Sequence, residues 1–433
     1  MADGERHEFG EFTLDVADRR LSKSGQPVPL PPKTHDLLVA LVRRAGQLVT
    51  KHELLGAVWS GSFVEEGILS VHISTLRKVF GDESEPRRFI ETVQRSGYRF
   101  IGVIRSHGIS PSTHPDVYEL VGQGRSSLSK ASMFEVPKAI AAFRAAIERD
   151  PCYAPAHAGL ALACCAAAAF RITAYEEAYG EARIAALRAL GMDDSCADAQ
   201  VALGAVLFLS DWNWAGAENS LKRALQTSPG HIEACLLYGR LLEALGKLED
   251  GLGMKLKALE REPFSAEVQL AISHSYWNQR RYEDAIAWAN KALDLDPRHP
   301  HAREFLAGAY WRQGDFSRYI TENMRHAEVH GVPVKVFEPL QLAYAAGGSA
   351  GALSYMLGRL SSQSGAPAMQ LAIFYGEAGD MNSAFQHLDR AIERRDPGLV
   401  HLAVAPQWDS LRADPRFNDR LTQMGLGPAC AKV

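Results

Sequence analysis

The chain has 433 residues, 46% of them hydrophobic and 23% charged, which excludes a disordered protein and exceeds one ordinary domain. A formal net charge of −4 excludes a uniformly basic coat for nucleic acid; residues 1–105 hold 15 Lys and Arg against 14 Asp and Glu, leaving 32 against 37 for the rest. Six cysteines without a C-x-x-C spacing, and an N-terminus without an apolar run, exclude a disulfide framework and a secretory signal and predict a cytoplasmic protein.

Residues 8–30 alternate apolar and polar side chains. Phe12, Leu14 and Val16 share one face, Ser24-Gly25 marks a turn, and Val28 and Leu30 resume, which predicts a small antiparallel sheet. After Pro31-Pro32 the spacing becomes helical through Leu37, Leu38, Leu41 and Val42, with Gly46 as the stop. Thr50 followed by Glu53 predicts a capping box opening a helix through Leu54, Leu55 and Val58.

The stretch VEEGILSVHISTLRKVFGD, 64–82, places Leu69, Ile73, Leu76 and Phe80 on one buried stripe, and Gly81 is a C-cap. Its other side carries Val71, Ser74, Thr75 and Lys78, flanked by His72 and Arg77. Hydroxyls that read base edges, a valine that meets a thymine methyl and basic groups that meet phosphate suit a major groove. The same features also describe an ordinary amphipathic surface helix. The following RFIETVQRSGYRFIGV predicts a hairpin with Gly97 in its turn and Arg95 near its tip. Helix, turn, helix and a basic-tipped hairpin make a winged helix.

The text LLVALVRRAGQLVTKHEL, the VHISTLRKVFGD helix and the RFIETVQRSGYRF wing resemble the DNA-binding effector domain of OmpR/PhoB-type transcriptional regulators over residues 8–105. The resemblance implies DNA contact by Val71, His72, Ser74, Thr75, Arg77 and Lys78 on the helix and by Thr92, Gln94, Arg95 and Tyr98 on the wing. Gly67, Ser74 and Thr75 stand where members of that family often carry Arg, which implies weaker phosphate contact. Only seven residues precede this region, so control through a receiver domain is not expected.

Residues 106–118, rich in Ser, Pro, His and Gly, read as a linker. Beyond it a 34-residue period emerges. Pro229, Pro263 and Pro297 keep it, as do Ala224, Ala258 and Ala292, and Leu248, Tyr282 and Phe316. Small residues such as Gly239, Ser273 and Gly251 let paired helices approach. The region resembles tetratricopeptide repeats over 119–331, clearest at 232–265 and 266–299. Degenerate repeats and a C-terminal cap occupy 332–425. A winged helix followed by such repeats resembles HilA-like regulators, whereas membrane-tethered cousins place a span after the winged helix. Ala154–Phe170, apolar but short and rich in Ala, is expected to be a buried repeat helix, with a span as the lesser reading.

Enzyme chemistry finds little support. Gly347–Gly351 fits G-x-S-x-G around Ser349, but a helical run precedes it rather than a strand. Gly122–Ser127 lacks the third glycine of a dinucleotide loop. No metal or cofactor site is expected. The aromatic positions Tyr276, Trp277, Tyr282, Trp288, Tyr310 and Trp311 read as repeat core, or as lining for a peptide or small molecule. The expected fold is an α+β winged helix-turn-helix followed by an all-α repeat solenoid. The expected function is transcription regulation, with double-stranded DNA, a partner protein or small effector on the repeats, and a possible homodimer as partners. The alternative is an interaction scaffold with a vestigial DNA-binding module.

Overall fold

The computed structural model describes residues 6–16, 19–45, 48–59, 67–82, 88–93, 96–102, 104–106, 115–130, 132–299, 301–329 and 331–427. The chain divides into two compact units, 1–111 and 112–433. Gly46, Gln94, Arg95 and Val103 lie outside the described residues, as does most of the expected linker.

In the first unit the strands β1 (Arg6–Phe9), β2 (Phe12–Asp15), β3 (Arg20–Lys23) and β4 (Gln26–Val28) form an antiparallel meander. Ser24 and Gly25 both take positive φ, 47° and 81°, the conformation a two-residue hairpin turn needs. Helix α1 (Pro32–Val42) starts at a proline, which has no amide hydrogen to leave unsatisfied. Strand β5 (Leu48–Thr50) leads directly into α2 (Lys51–Val58). There the Thr50 hydroxyl accepts from the Glu53 amide at 3.2 Å, and the Glu53 carboxylate accepts from the Thr50 amide at 2.8 Å.

Helix α3 (Gly67–Phe80) is followed by β6 (Ile90–Val93), β7 (Gly97–Phe100) and β8 (Ile104–Ser106). Strand β8 pairs with β1 and completes a five-stranded sheet, while β7 pairs with both β5 and β6. Gly97 is therefore the first residue of a strand, not a turn residue. It sits opposite both Val93 and Thr50, and a Cβ there would lie 2.1 Å from the Val49 carbonyl oxygen. The core is aromatic: Phe9 meets Phe100 at 5.0 Å and Phe12 meets Phe80 at 4.9 Å, both edge to face.

The second unit is a run of helix pairs. They are α4 (Pro115–Leu128) with α5 (Val136–Arg149), α6 (Ala154–Ala169) with α7 (Tyr175–Met192), and α8 (Ala197–Leu209) with α9 (Trp214–Thr227). Next come α10 (Ile232–Ala244) with α11 (Leu248–Arg261), α12 (Ala266–Asn278) with α13 (Tyr282–Leu295), and α14 (Ala302–Arg312) with α15 (Phe316–Val329). Helices begin at Pro115, ahead of the expected 119. No helix among the described residues is long and apolar enough to cross a membrane, α6 included.

The 34-residue period has a backbone cause. Trp212, Gly246, Arg280 and Gly314, each 34 residues after the last, all take positive φ of 55–80° in the turn between paired helices. Gly348 follows at the same interval with φ 60°. It breaks α16 (Glu338–Ser361) into two helices, so GGSAG is the inter-helix corner of a repeat that has lost its loop. Close approach is visible where glycines face each other: a Cβ on Gly251 would lie 2.6 Å from the Gly239 carbonyl oxygen.

After α17 (Ala368–Glu377) and α18 (Met381–Glu393) the chain does more than cap the last pair. Two short 3-10 turns, Pro397–His401 and Pro406–Trp408, and α19 (Arg416–Gln423) fold back onto repeats nearly two hundred residues earlier. The Trp214 indole donates to the Met424 carbonyl at 2.8 Å. Arg280 grips Asp409 through two hydrogen bonds of 2.6 and 3.0 Å. Trp408, Leu411, Phe417 and Leu421 are fully buried against α18 and against Leu248 and Trp214.

Candidate nucleic-acid interface

Helix α3 divides its side chains sharply. Leu69, Ile73, Leu76 and Phe80 are buried in the core. Gly67, Val71, Ser74 and Lys78, at the complementary i, i+4, i+7, i+11 spacing, are exposed. Val71 is 63% exposed, a large apolar side chain left in solvent in the middle of a helix. Lys78 is exposed and makes no ion pair among the described residues. Thr75 is half-buried and turns its hydroxyl back to the Val71 carbonyl at 3.0 Å.

The other nominated residues hold the helix in place. His72 shares a 2.8 Å hydrogen bond with the buried Thr34 hydroxyl on α1 and packs on Trp59 at 5.2 Å. Burial lowers its pKa, so the ring is neutral at pH 7. Arg77 donates to the Ile90 carbonyl at 2.9 Å and to the Thr92 hydroxyl at 2.7 Å, bridging α3 to β6. Tyr98 is buried, and its hydroxyl lies 3.4 Å from Ser70 on α3. His72, Arg77 and Tyr98 thus each have a partner on a neighbouring element and brace α3 against α1, β6 and β7. Thr92 is exposed, with its hydroxyl engaged by Arg77.

Asp82 was not nominated from sequence, yet it joins the helix to the wing. Gly81 takes φ 65°, the Gly81 amide bonds the Lys78 carbonyl at 3.3 Å and the Asp82 amide bonds the Arg77 carbonyl at 2.8 Å, a Schellman closure. The buried Asp82 carboxylate then accepts from the amides of Arg88, Phe89 and Ile90 at 2.6, 3.2 and 3.0 Å. An aspartate directly after a C-cap glycine and ahead of a strand was the available signal.

The repeat unit holds polar groups in its interior. Glu243 of α10 and Lys255 of α11, both fully buried, pair at 2.7 Å. Lys255 also donates to the Ser275 hydroxyl at 2.9 Å, Asn278 donates to Glu243 at 3.1 Å, and Ser275 donates to Glu243. Burial alone would raise the Glu243 pKa, but the Lys255 charge overrides it and holds the group below the usual carboxylate range. His401, from the returning C-terminal segment, packs edge-on to His274 beside this pair at 4.8 Å. Ser349 sits at the helix corner after Gly348, with no strand leading into it.

The family described as "Transcriptional regulatory protein, C terminal" matches residues 25–100, and tetratricopeptide repeat families match 208–274 and 270–318. Among curated proteins, the transcriptional regulator HilA of Salmonella typhimurium is 37% identical over 109 residues, 24% of this chain and 19% of HilA. The transcriptional activator CadC of Escherichia coli is 31% identical over 93 residues, 21% of this chain and 18% of CadC. The chain thus matches about a fifth of the length of these relatives. The solved DNA-binding domain of Escherichia coli CadC is 28% identical with a TM-score of 0.23, covering 24% of this chain and all of that one. The chain therefore carries an OmpR/PhoB-type transcriptional-regulator domain at its N-terminal end, followed by tetratricopeptide repeats.

Proposed function

We propose that the protein is a sequence-specific DNA-binding transcriptional regulator acting in the cytoplasm, without catalytic activity of its own. The observation that carries this reading is the exposed stripe of Val71, Ser74 and Lys78 on a helix whose opposite stripe is buried. Ser74 and Thr75 read base edges, Val71 meets a thymine methyl, and Lys78 neutralises a phosphate. His72, Arg77, Thr92 and Tyr98 position this face, Gln94 contacts the DNA, and Arg95 reaches the adjacent minor groove or its phosphates. Two chains bind repeated half-sites, and the repeats receive a partner protein or an effector.

Selection of bound duplexes from a random DNA pool with the full-length chain tests this. The expected result is an enriched motif whose affinity falls steeply with salt. Absence of any motif, with normally folded protein, overturns the reading in favour of an interaction scaffold.

A further inference from the structure

Arg240 projects from α10 into a cavity of about 600 Å³ in the repeat unit, a volume within the range of small-molecule sites. Among the described residues its guanidinium makes neither a hydrogen bond nor an ion pair, and it lies over the Phe208 ring at 6.0 Å. The acids around it are engaged elsewhere. Glu243 is held by Lys255 and Asn278, Glu267 meets His299 at 3.2 Å, and Asp296 accepts the Arg298 amide at 3.0 Å. Glu267 and Glu243 favour the charge of Arg240 from a distance, but a part-buried guanidinium without a directly bonded counter-charge is costly to the fold, and an oxyanion held bidentately removes that cost.

The walls define the rest of the ligand. Phe170, at the end of α6, stacks on His301 at 6.3 Å with planes 25° apart, and Phe305 and Leu270 add apolar surface. We propose that this cavity binds a small organic oxyanion, a carboxylate or phosphate carried on a flat or apolar body, with Arg240 as its anchor. The proposal deepens the reading that the repeats receive an effector, and it rests on that reading. Its consequence is mechanical: an occupant touches α6, α10, α12 and the start of α14 together, so it ties repeats distant in sequence into one arrangement.

Calorimetric titration of the full-length protein with inorganic phosphate and with sodium benzoate tests the proposal. Saturable binding of at least one probe, one per chain, is expected, and Arg240→Gln is expected to weaken it roughly thirtyfold or more. Phosphate alone binding assigns a phosphate ligand; benzoate alone assigns an aromatic carboxylate. Arg261→Gln, an exposed site on α11, is the control for general charge and leaves binding unchanged. Because Arg240→Gln removes a group that packs on Phe208, a second measurement uses the unaltered protein. Phenylglyoxal labelling of Arg240, read by mass spectrometry, is slowed by the bound probe while labelling of Arg261 is not. No saturable binding of either probe, undiminished binding by Arg240→Gln, or equal labelling with and without probe overturns the proposal. DNA selection on the same preparation separates the two readings. Intact DNA binding without anion binding removes only this site, and anion binding without a DNA motif removes the regulator reading instead.

Discussion

Helix α3 and the interior of the repeat unit treat charge and polarity in opposite ways. In the N-terminal unit α3 buries hydrocarbon and leaves Val71, Ser74 and Lys78 in solvent. In the repeat unit Glu243 and Lys255 are fully buried, and Arg240 faces a cavity rather than bulk water. An exposed polar stripe costs little to keep, so its composition is free to follow a ligand. A buried ion pair must be satisfied from several elements at once, so its composition is dictated by the fold around it.

The sharpest way to break that contrast is Lys255→Met. It leaves Glu243 buried without its counter-charge and is expected to cost about 3–5 kcal/mol in the repeat unit. Urea denaturation followed by helical circular dichroism reads this. Adding Glu243→Met to the same chain is expected to restore much of the loss, because the pair is removed together. If the double variant is no better than the single one, the pair is not the cause.

Asp82→Ala is expected to cost the N-terminal unit about 2–3 kcal/mol, since the buried amides of Phe89 and Ile90 and the part-buried amide of Arg88 lose a charged acceptor. The wing then loses its register against α3, so DNA affinity falls along with stability. A variant that melts normally would show that Asp82 does not join the two elements.

On the exposed stripe the effects are smaller and leave the fold alone. Lys78→Gln is expected to weaken DNA binding by a few-fold on every sequence and to lower the salt slope by about one. Ser74→Ala is expected to change base preference at one position without moving the melting temperature. A stability change in either variant would mean that this face is structural.

The mildest test is pH. Burial works against the charge of His231, but hydrogen bonds to Asp198 at 2.9 Å and Glu233 at 3.2 Å outweigh it and push its pKa up to about 9. A raised folded-state pKa stabilises the protein in full below the ordinary 6.5 and loses that contribution as the pH climbs through about 9. The repeat unit is therefore expected to melt roughly 1–3 °C lower at pH 9.5 than at pH 6, and His231→Gln flattens this difference. Equal slopes in the two proteins would remove His231 as the source.

Local rules made much of this molecule legible from residues alone. The capping box at Thr50 and Glu53, the C-cap at Gly81 and the buried stripe of α3 each depend on neighbours within a few positions, so spacing suffices to see them. The repeat period was legible for a related reason. Every helix pair meets its successor in the same way, and the same left-handed turn at Trp212, Gly246, Arg280 and Gly314 recurs with it. Tertiary structure alone decided which polar groups stay free. His72 and Arg77 lie beside the exposed stripe in sequence and Tyr98 lies in the wing, yet partners 13 to 38 residues away engage all three. The return of residues 397–426 onto α8 to α12, and the isolation of Arg240 in its cavity, were equally invisible. They are set by packing between segments that no period or cap relates, and in such contacts it is distance in space, not along the chain, that decides which charge is paired.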